Sequence, residues 1–151
     1  MATQIAGRAQ RLNNYGLTVT RAAANLPAGA SGNLFSVSGP IILTSIVGIV
    51  TTVIQTQANA IKLEAFLTSA AAATDMCATV ESSAQAVGKM FGISGAIATA
   101  ATFGFAVPQS NEFIINGPGF IRLNTAATNT GQMSWVANYI PLIDGAVLLA
   151  A

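Results

Sequence analysis

Short hydrophobic segments separated by Gly, Pro, Asn and Ser recur along the chain from residue 33 onward. Residues 34–38 alternate between apolar and polar side chains, and residues 61–66 alternate between an apolar set and a set that carries two charges. A period of two predicts strands with one buried face. Residues 41–50 are continuously apolar instead, as expected of a strand covered on both faces, and Gly48 within this run suggests a bulge.

The second half of the chain predicts further strands, because similar short segments end at Pro, Gly or Asn. The expected strands are 76–81 and 86–93, forming a hairpin across residues 82–83, then 96–107, 112–115, 120–125, 133–140 and 146–149. The segment 133–140 places Trp135 and Tyr139 on one face and Val136 on the other. About eight or nine strands, with no sustained amphipathic helix, predict an all-β sandwich or barrel.

Residues 1–32 differ from the rest of the chain, because they contain Arg8, Arg11 and Arg21 and no acidic residue. They end in a turn-rich stretch at 26–32. This composition predicts an extended N-terminal arm followed by one β domain over 33–151, and the simpler alternative is a frayed terminus. If the arm is functional, its positive charges and its length favour contact with a neighbouring subunit.

Two strongly apolar stretches raise the alternative of a membrane protein. Residues 40–54 hold about 14 apolar-rich residues, short of the ~20 that a spanning helix needs. Residues 90–107 are long enough but carry three Gly, a Ser and two Thr. Both stretches favour strand over helix, and no cluster of Lys or Arg flanks them, so no membrane partner is expected. Arg8 and Arg11 are followed by polar residues rather than by the hydrophobic region of a signal peptide, which predicts synthesis in the cytoplasm.

The residue types present exclude most catalytic chemistry. The chain has no His and a single cysteine, Cys77, so it cannot build a His-dependent triad or an intrachain disulfide, and it has too few ligands for structural zinc. The Gly-rich stretches 92–95 and 117–119 lack the Lys and Ser or Thr of a phosphate-binding loop. We therefore expect no enzyme, no cofactor and no metal, with Cys77 as a small buried hydrophobe.

The low content of charged residues determines which groups the folded chain can expose. Charged residues make up 7% of the sequence, against roughly 25% in average soluble domains. A folded monomer of this mass exposes on the order of 7,000 Å², so most of its exterior carries hydroxyl, amide and apolar groups. A net charge of +1 protects such a surface poorly against aggregation and argues against general nucleic-acid binding. These features predict a homo-oligomer whose exterior is buried against other subunits.

Several segments, taken in order, carry a family resemblance. They are residues 34–39 (LFSVSG), 42–52 (ILTSIVGIVTT), 57–63 (QANAIKL), 120–124 (FIRLN), 130–135 (TGQMSW) and 139–142 (YIPL). In this order the chain resembles small virion proteins of tailed bacteriophages, most of all capsid decoration (cement) proteins or related head and tail proteins. The resemblance covers residues 33–149 and rests on strands and turns. It implies a jelly-roll-like β-sandwich that clusters on the capsid surface and clamps neighbouring major capsid subunits.

Some residues have two competing interpretations each. Trp135 and Tyr139 could form an aromatic platform for glycans or a capsid partner, but core packing is the favoured interpretation. The three arginines at positions 8, 11 and 21 either pair with acidic capsid residues or belong to a solvated arm. Lys62 and Glu64 lie two residues apart on one strand face, which predicts a surface ion-pair array worth under ~1 kcal/mol.

Three functions remain open at this point. The first is a structural virion protein that decorates and stabilises a phage capsid, as a homotrimer that binds the major capsid protein. The second is a head-fibre or tail component that binds a receptor or glycan. The third, least favoured, is a small membrane protein such as a holin.

Overall fold

The computed structural model describes residues 16–107 and 112–151, and all regular secondary structure in these ranges is β-strand. The strands are β1 (Leu17–Asn25), β2 (Ser31–Val37), β3 (Pro40–Thr52), β4 (Ala60–Leu67), β5 (Thr74–Asp75), β6 (Val80–Glu81), β7 (Met90–Gly92), β8 (Thr102–Gly104), β9 (Phe113–Asn116), β10 (Gly119–Thr125), β11 (Gln132–Pro141) and β12 (Leu148–Ala150). The all-β class predicted from the sequence is confirmed. The described ranges contain twelve strands, more than the expected eight or nine. Strands of two or three residues are too short to show an alternating pattern in the sequence, so the alternation does not predict them. Within the described ranges, no helix is long and apolar enough to cross a membrane.

The strands form two six-stranded antiparallel sheets arranged as a sandwich. Sheet A has the order β1-β11-β3-β7-β8, and β9 also pairs with β3. Sheet B has the order β12-β2-β10-β4-β5, and β6 also pairs with β4. The length of β3 allows two neighbours on one side, because residues 40–43 pair with β9 and residues 47–49 pair with β7.

The side chains that the two sheets turn toward each other form the hydrophobic core. Burial alternates strictly along β11, where Met133, Trp135, Ala137 and Tyr139 are buried. The predicted face of this strand is therefore confirmed. Trp135 lies edge-on to Phe91 with ring centroids 5.6 Å apart, a geometry that adds to the stabilisation from burial alone.

Gly48 is required for the packing of this tryptophan and does not form the expected bulge. Gly48 pairs directly with Trp135, and the bulges in β3 lie elsewhere, beside Thr44 and Thr51. A Cβ at position 48 would come within 2.6 Å of Met133 Cε and 2.8 Å of the Trp135 ring. The glycine thus marks a close approach of side chains to the backbone of β3.

Substitution of Gly48 tests this packing. We expect Gly48→Ala to lower the free energy of unfolding by about 1–3 kcal/mol, because the added methyl group overpacks the core around Trp135. Urea unfolding monitored by tryptophan fluorescence measures the change. An unchanged or increased stability, as expected when Ala merely stiffens a strand with free space around it, would contradict the close packing.

Two predicted elements in the middle of the chain were wrong. The expected hairpin across residues 82–83 does not form, because β6 pairs with β4 in sheet B and β7 pairs with β3 in sheet A. The expected strand 96–107 is reduced to β8, three residues long. Both segments are rich in Ala, Gly and Ser, which provide little alternation and weak strand preference.

The segment expected as an arm contributes to the sandwich. β1 pairs with β11 from Leu17, opposite Tyr139, to Asn25, opposite Gln132, and Val19 packs against the core. Residues 17–25 are therefore an edge strand of sheet A rather than a free arm. Arg8 and Arg11 lie outside the described residues.

Candidate interaction surface

The outer face of sheet A carries no ionisable side chain among the residues that the structure describes. We call it the uncharged face and define it by the outward positions of six strands. These are Thr18, Thr20 and Asn25 of β1, Gln132, Ser134, Val136, Asn138 and Ile140 of β11, Ile42, Ser45, Val47, Ile49 and Thr52 of β3, Met90 of β7, Thr102 of β8, and Ile114 and Asn116 of β9. Every described Lys, Arg, Asp and Glu lies in a loop, at the β1 edge or on sheet B, and the Tyr139 side chain of β11 is buried in the core.

Polar side chains on the uncharged face are already hydrogen-bonded to one another. Thr18 Oγ1 donates to Asn138 Oδ1 at 2.6 Å, and Asn138 Nδ2 donates to Ser45 Oγ at 2.7 Å, so one row of bonds crosses three strands. A second row joins Gln132 Nε2 to Asn25 Oδ1 at 3.1 Å. Because these groups are paired within the sheet, covering them would cost less than covering groups that depend on water.

Apolar rows lie between these polar rows. Ile140, Ile42 and Ile114 are direct neighbours across β11, β3 and β9, and Ile114 is 73% exposed. Val136 lies opposite Val47 in the next apolar row. The uncharged face therefore presents alternating bands of methyl groups and hydrogen-bonded amides. It resembles the centre of a protein interface, where charged residues are depleted.

Sheet B has the opposite character on its outer face. Lys62 Nζ lies 2.7 Å from an oxygen of Asp75, and Arg122 Nη2 lies 2.6 Å from Glu64 Oε1. Ser31 Oγ also donates to Glu64 at 2.6 Å. The part of this face around Lys62, Glu64 and Arg122 therefore holds charges of both signs, whereas the row formed by Leu149, Ser36, Phe120 and Phe66 is largely apolar.

The pairing on sheet B departs in part from the sequence prediction. Lys62 and Glu64 share a face, as expected, but they have different partners, Asp75 and Arg122. Glu64 is buried, with 4% of its surface exposed, and is therefore no element of a solvated array. Arg122 was not singled out from the sequence as a partner, although the alternation of residues 120–125 places it on the outer side of its strand.

A fifth charged side chain on sheet B, that of Glu81 in β6, is held by hydrogen bonds from the backbone. The backbone amides of Asn59 and Ser83 donate to Glu81 Oε1 at 2.7 and 3.0 Å. These hydrogen bonds lower the pKa of the Glu81 carboxyl, because they favour its ionised form. The charge is thus held by the fold and serves a structural purpose.

The free edges of the two sheets are poorly suited to pairing with another chain. The edge strands β5, β8 and β12 have only two or three residues. β1 is longer, but its register with β11 shifts between Arg21 and Ala24, which interrupts the edge with a bulge. Short strands, bulges and an edge charge are the features by which proteins block edge pairing. The uncharged face, rather than an edge, is therefore the candidate interaction surface.

The aromatic residues singled out from the sequence are not available for binding at the surface. Trp135 is 1% exposed and Tyr139 is 4% exposed, in agreement with the favoured interpretation as core residues. Arg21 lies at the β1 edge, where its Nε donates to the backbone oxygen of Ala151 at 3.1 Å. Arg21 pairs directly with Trp135 in the middle of β1, whereas Tyr139 lies opposite Leu17, at the start of that strand.

The described residues offer little reactive chemistry. They contain no group of three or more His, Cys, Asp or Glu side chains that could hold a metal ion. Cys77 is buried, as predicted, and burial raises the pKa of its thiol, which disfavours the reactive thiolate. No family model, curated protein or solved structure matches the chain.

Proposed function

We propose that the protein is a structural component of a bacteriophage virion that decorates and stabilises the capsid by binding between major capsid subunits. The observation that carries the proposal is the uncharged face, because a broad sheet face without a single ionisable group is suited to permanent cover by protein. Obligate contacts are more apolar and less charged than free surface. The family resemblance of residues 33–149 supports the capsid as the setting.

The proposal includes a jelly-roll topology. A jelly roll is a long antiparallel hairpin wrapped into two sheets, so that the first strand pairs with the last and each inner strand pairs with its counterpart. Four pairings follow this nesting: β1 with β11, β2 with β10, β3 with β9, and β4 with β5. This order supports a jelly roll of eight principal strands to which β6, β7, β8 and β12 are additions.

The energetics of many small contacts suit a stabilising role. Burial of apolar surface contributes about 25 cal/mol per Å², so ~1,000 Å² buried per copy gives on the order of 25 kcal/mol before the cost of association is subtracted. The surplus from each copy is repeated over the shell. A protein of this kind would raise the resistance of a filled capsid to internal pressure.

Heating of virions tests the proposal. Particles that carry the protein should retain their DNA at temperatures at which particles assembled without it release DNA, and adding back the purified protein should restore retention. Release of DNA can be followed by the fluorescence of an intercalating dye. Equal heat survival with and without the protein would contradict a stabilising role.

The head-fibre or tail alternative has less support. Its sequence basis was an aromatic platform of Trp135 and Tyr139, and both side chains are buried. Phe66 and Phe120 lie opposite each other on the outer face of sheet B, but Arg122 lies over the ring of Phe66. No observation favours a glycan over a protein partner.

A further inference from the structure

We infer that the occupant of the uncharged face is a second copy of this chain, stacked sheet on sheet about a two-fold axis. This inference rests on the proposed function for its biological setting and assigns the uncharged face to contacts between copies of the protein within that assembly, so that another surface contacts the capsid. It also makes its own prediction about the isolated protein. Aligned sheets pack about 10 Å apart with their strands rotated by about 30°. The rows of isoleucine and valine on one copy would then contact the same rows on the other.

Charge distribution favours a copy as the partner. A two-fold contact places each patch against itself, so a charge on the axis meets its own copy and a charge elsewhere needs an opposite charge at the matching position. The uncharged face contains no charged group among the described residues and needs no such matching. On the outer face of sheet B, Lys62, Asp75 and Arg122 would each need a matching opposite charge on the copy.

The size of the face is sufficient for a stable dimer. The ten residues of β11 span roughly 33 Å at ~3.3 Å per residue, and the five strands of the main path of sheet A span roughly 24 Å at ~4.8 Å per strand. Because β7 and β8 have only three residues each and β9 only four, the face covers on the order of 650 Å² per copy rather than the full rectangle, which lies within the range of about 600–1,000 Å² that specific interfaces bury on each partner.

The hydrogen bonds of the face strengthen this argument. Thr18, Asn138 and Ser45 satisfy one another within the sheet, as do Gln132 and Asn25. A partner therefore need not supply matching polar groups in exact register. A copy that offers methyl groups and paired amides can therefore cover these five side chains without leaving their hydrogen-bonding groups unpaired.

Ser134 and Ser36 provide a matched pair of test positions. Both are half-buried outward serines in strands with neighbours on each side, Ser134 in β11 of sheet A and Ser36 in β2 of sheet B. We expect the wild-type protein and Ser36→Lys to sediment as dimers at micromolar concentration. Ser134→Lys should weaken dimerisation at least ~100-fold, because two lysines would be buried without partners near the axis.

Sedimentation velocity over a concentration series measures these masses, and far-ultraviolet circular dichroism verifies that each variant is folded. A wild-type protein that stays at 15.3 kDa throughout would overturn the inference. So would a dimer that Ser134→Lys leaves intact. A trimer, the state expected from the sequence for a capsid-decorating protein, would overturn the two-fold arrangement.

Binding of the same variants to capsids that lack the protein separates this inference from the proposed function. If the wild type is monomeric and Ser134→Lys alone loses capsid binding, the face contacts the shell: the inference fails and the proposed function stands. If the wild type dimerises through the face but does not bind capsids, the inference stands and the proposed function fails.

Discussion

Trp135→Ala should lower the free energy of unfolding by about 4 kcal/mol, the largest effect that we expect from a single substitution. Trp135 is 1% exposed and is among the largest fully buried side chains of the described residues. It packs against Phe91 at 5.6 Å between ring centroids and against the backbone at Gly48. Truncating a buried Trp typically costs about 3–5 kcal/mol, because both transfer energy and packing are lost.

Urea unfolding followed by far-ultraviolet circular dichroism measures this effect without relying on tryptophan fluorescence. Val136→Ala is the matched control, because Val136 is the next residue of β11 and lies on the outer face. We expect it to cost under about 1 kcal/mol in the monomer, since a half-exposed side chain leaves no cavity. Similar losses for both variants would contradict the assignment of the two faces.

Arg122→Leu should lower the free energy of unfolding by about 3 kcal/mol. Its guanidinium donates to Glu64 through Nε at 2.9 Å, pairs with it through Nη2 at 2.6 Å, and lies over the ring of Phe66 at 4.2 Å. Glu64 is 4% exposed, so removing its cationic partner leaves a buried carboxylate whose remaining side-chain partner is the Ser31 hydroxyl. Chemical unfolding at neutral pH measures the loss.

Two further variants make the interpretation specific. Glu64→Gln combined with Arg122→Leu should recover at least ~1 kcal/mol relative to Arg122→Leu alone, because the uncompensated charge is gone. Lys62→Met should cost under ~1 kcal/mol, because the side chains of Lys62 and Asp75 are 25% and 43% exposed. Equal losses of unfolding free energy for Arg122→Leu and Lys62→Met would contradict the expectation that the buried ion pair contributes more than the exposed one.

The alternation of residues along single strands was readable from the sequence, and it located the core correctly where it was regular. β10 and β11 alternate strictly between buried and less buried positions, and β4 does so up to Leu63, so the faces of Leu63, Leu123 and Trp135 follow directly. The short strands β7 and β8 have three residues each, too few for a period to be recognised.

The uncharged face could not be derived in the same way, because it combines strands that are distant in the chain. Ile140, Ile42 and Ile114 become neighbours only through the pairing of β11 with β3 and of β3 with β9. The pair between Glu64 and Arg122 likewise depends on the register of β4 with β10. The composition predicted an exterior poor in charge, but which face lacks charge depends on long-range pairing.

The outward run of β3 illustrates the limit of a local interpretation. Continuous apolar character over residues 41–50 predicted cover on both faces, and the inner face indeed lies in the core. Ile42, Val47 and Ile49 on the other side remain half-buried in the single chain. A second protein layer on the uncharged face would cover these three residues, and β3 would then be covered on both faces, as its sequence predicts.

Cysteine accessibility in the assembled protein tests most directly whether the uncharged face is covered. Cys77, the sole native cysteine, is 1% exposed, so a maleimide reagent reports on an introduced thiol. We expect Ser134→Cys to be protected in the assembled oligomer or particle and to react once dissociated, while Ser36→Cys reacts in both states. Rapid labelling of Ser134→Cys in the assembled state, at the rate of Ser36→Cys, would contradict the account.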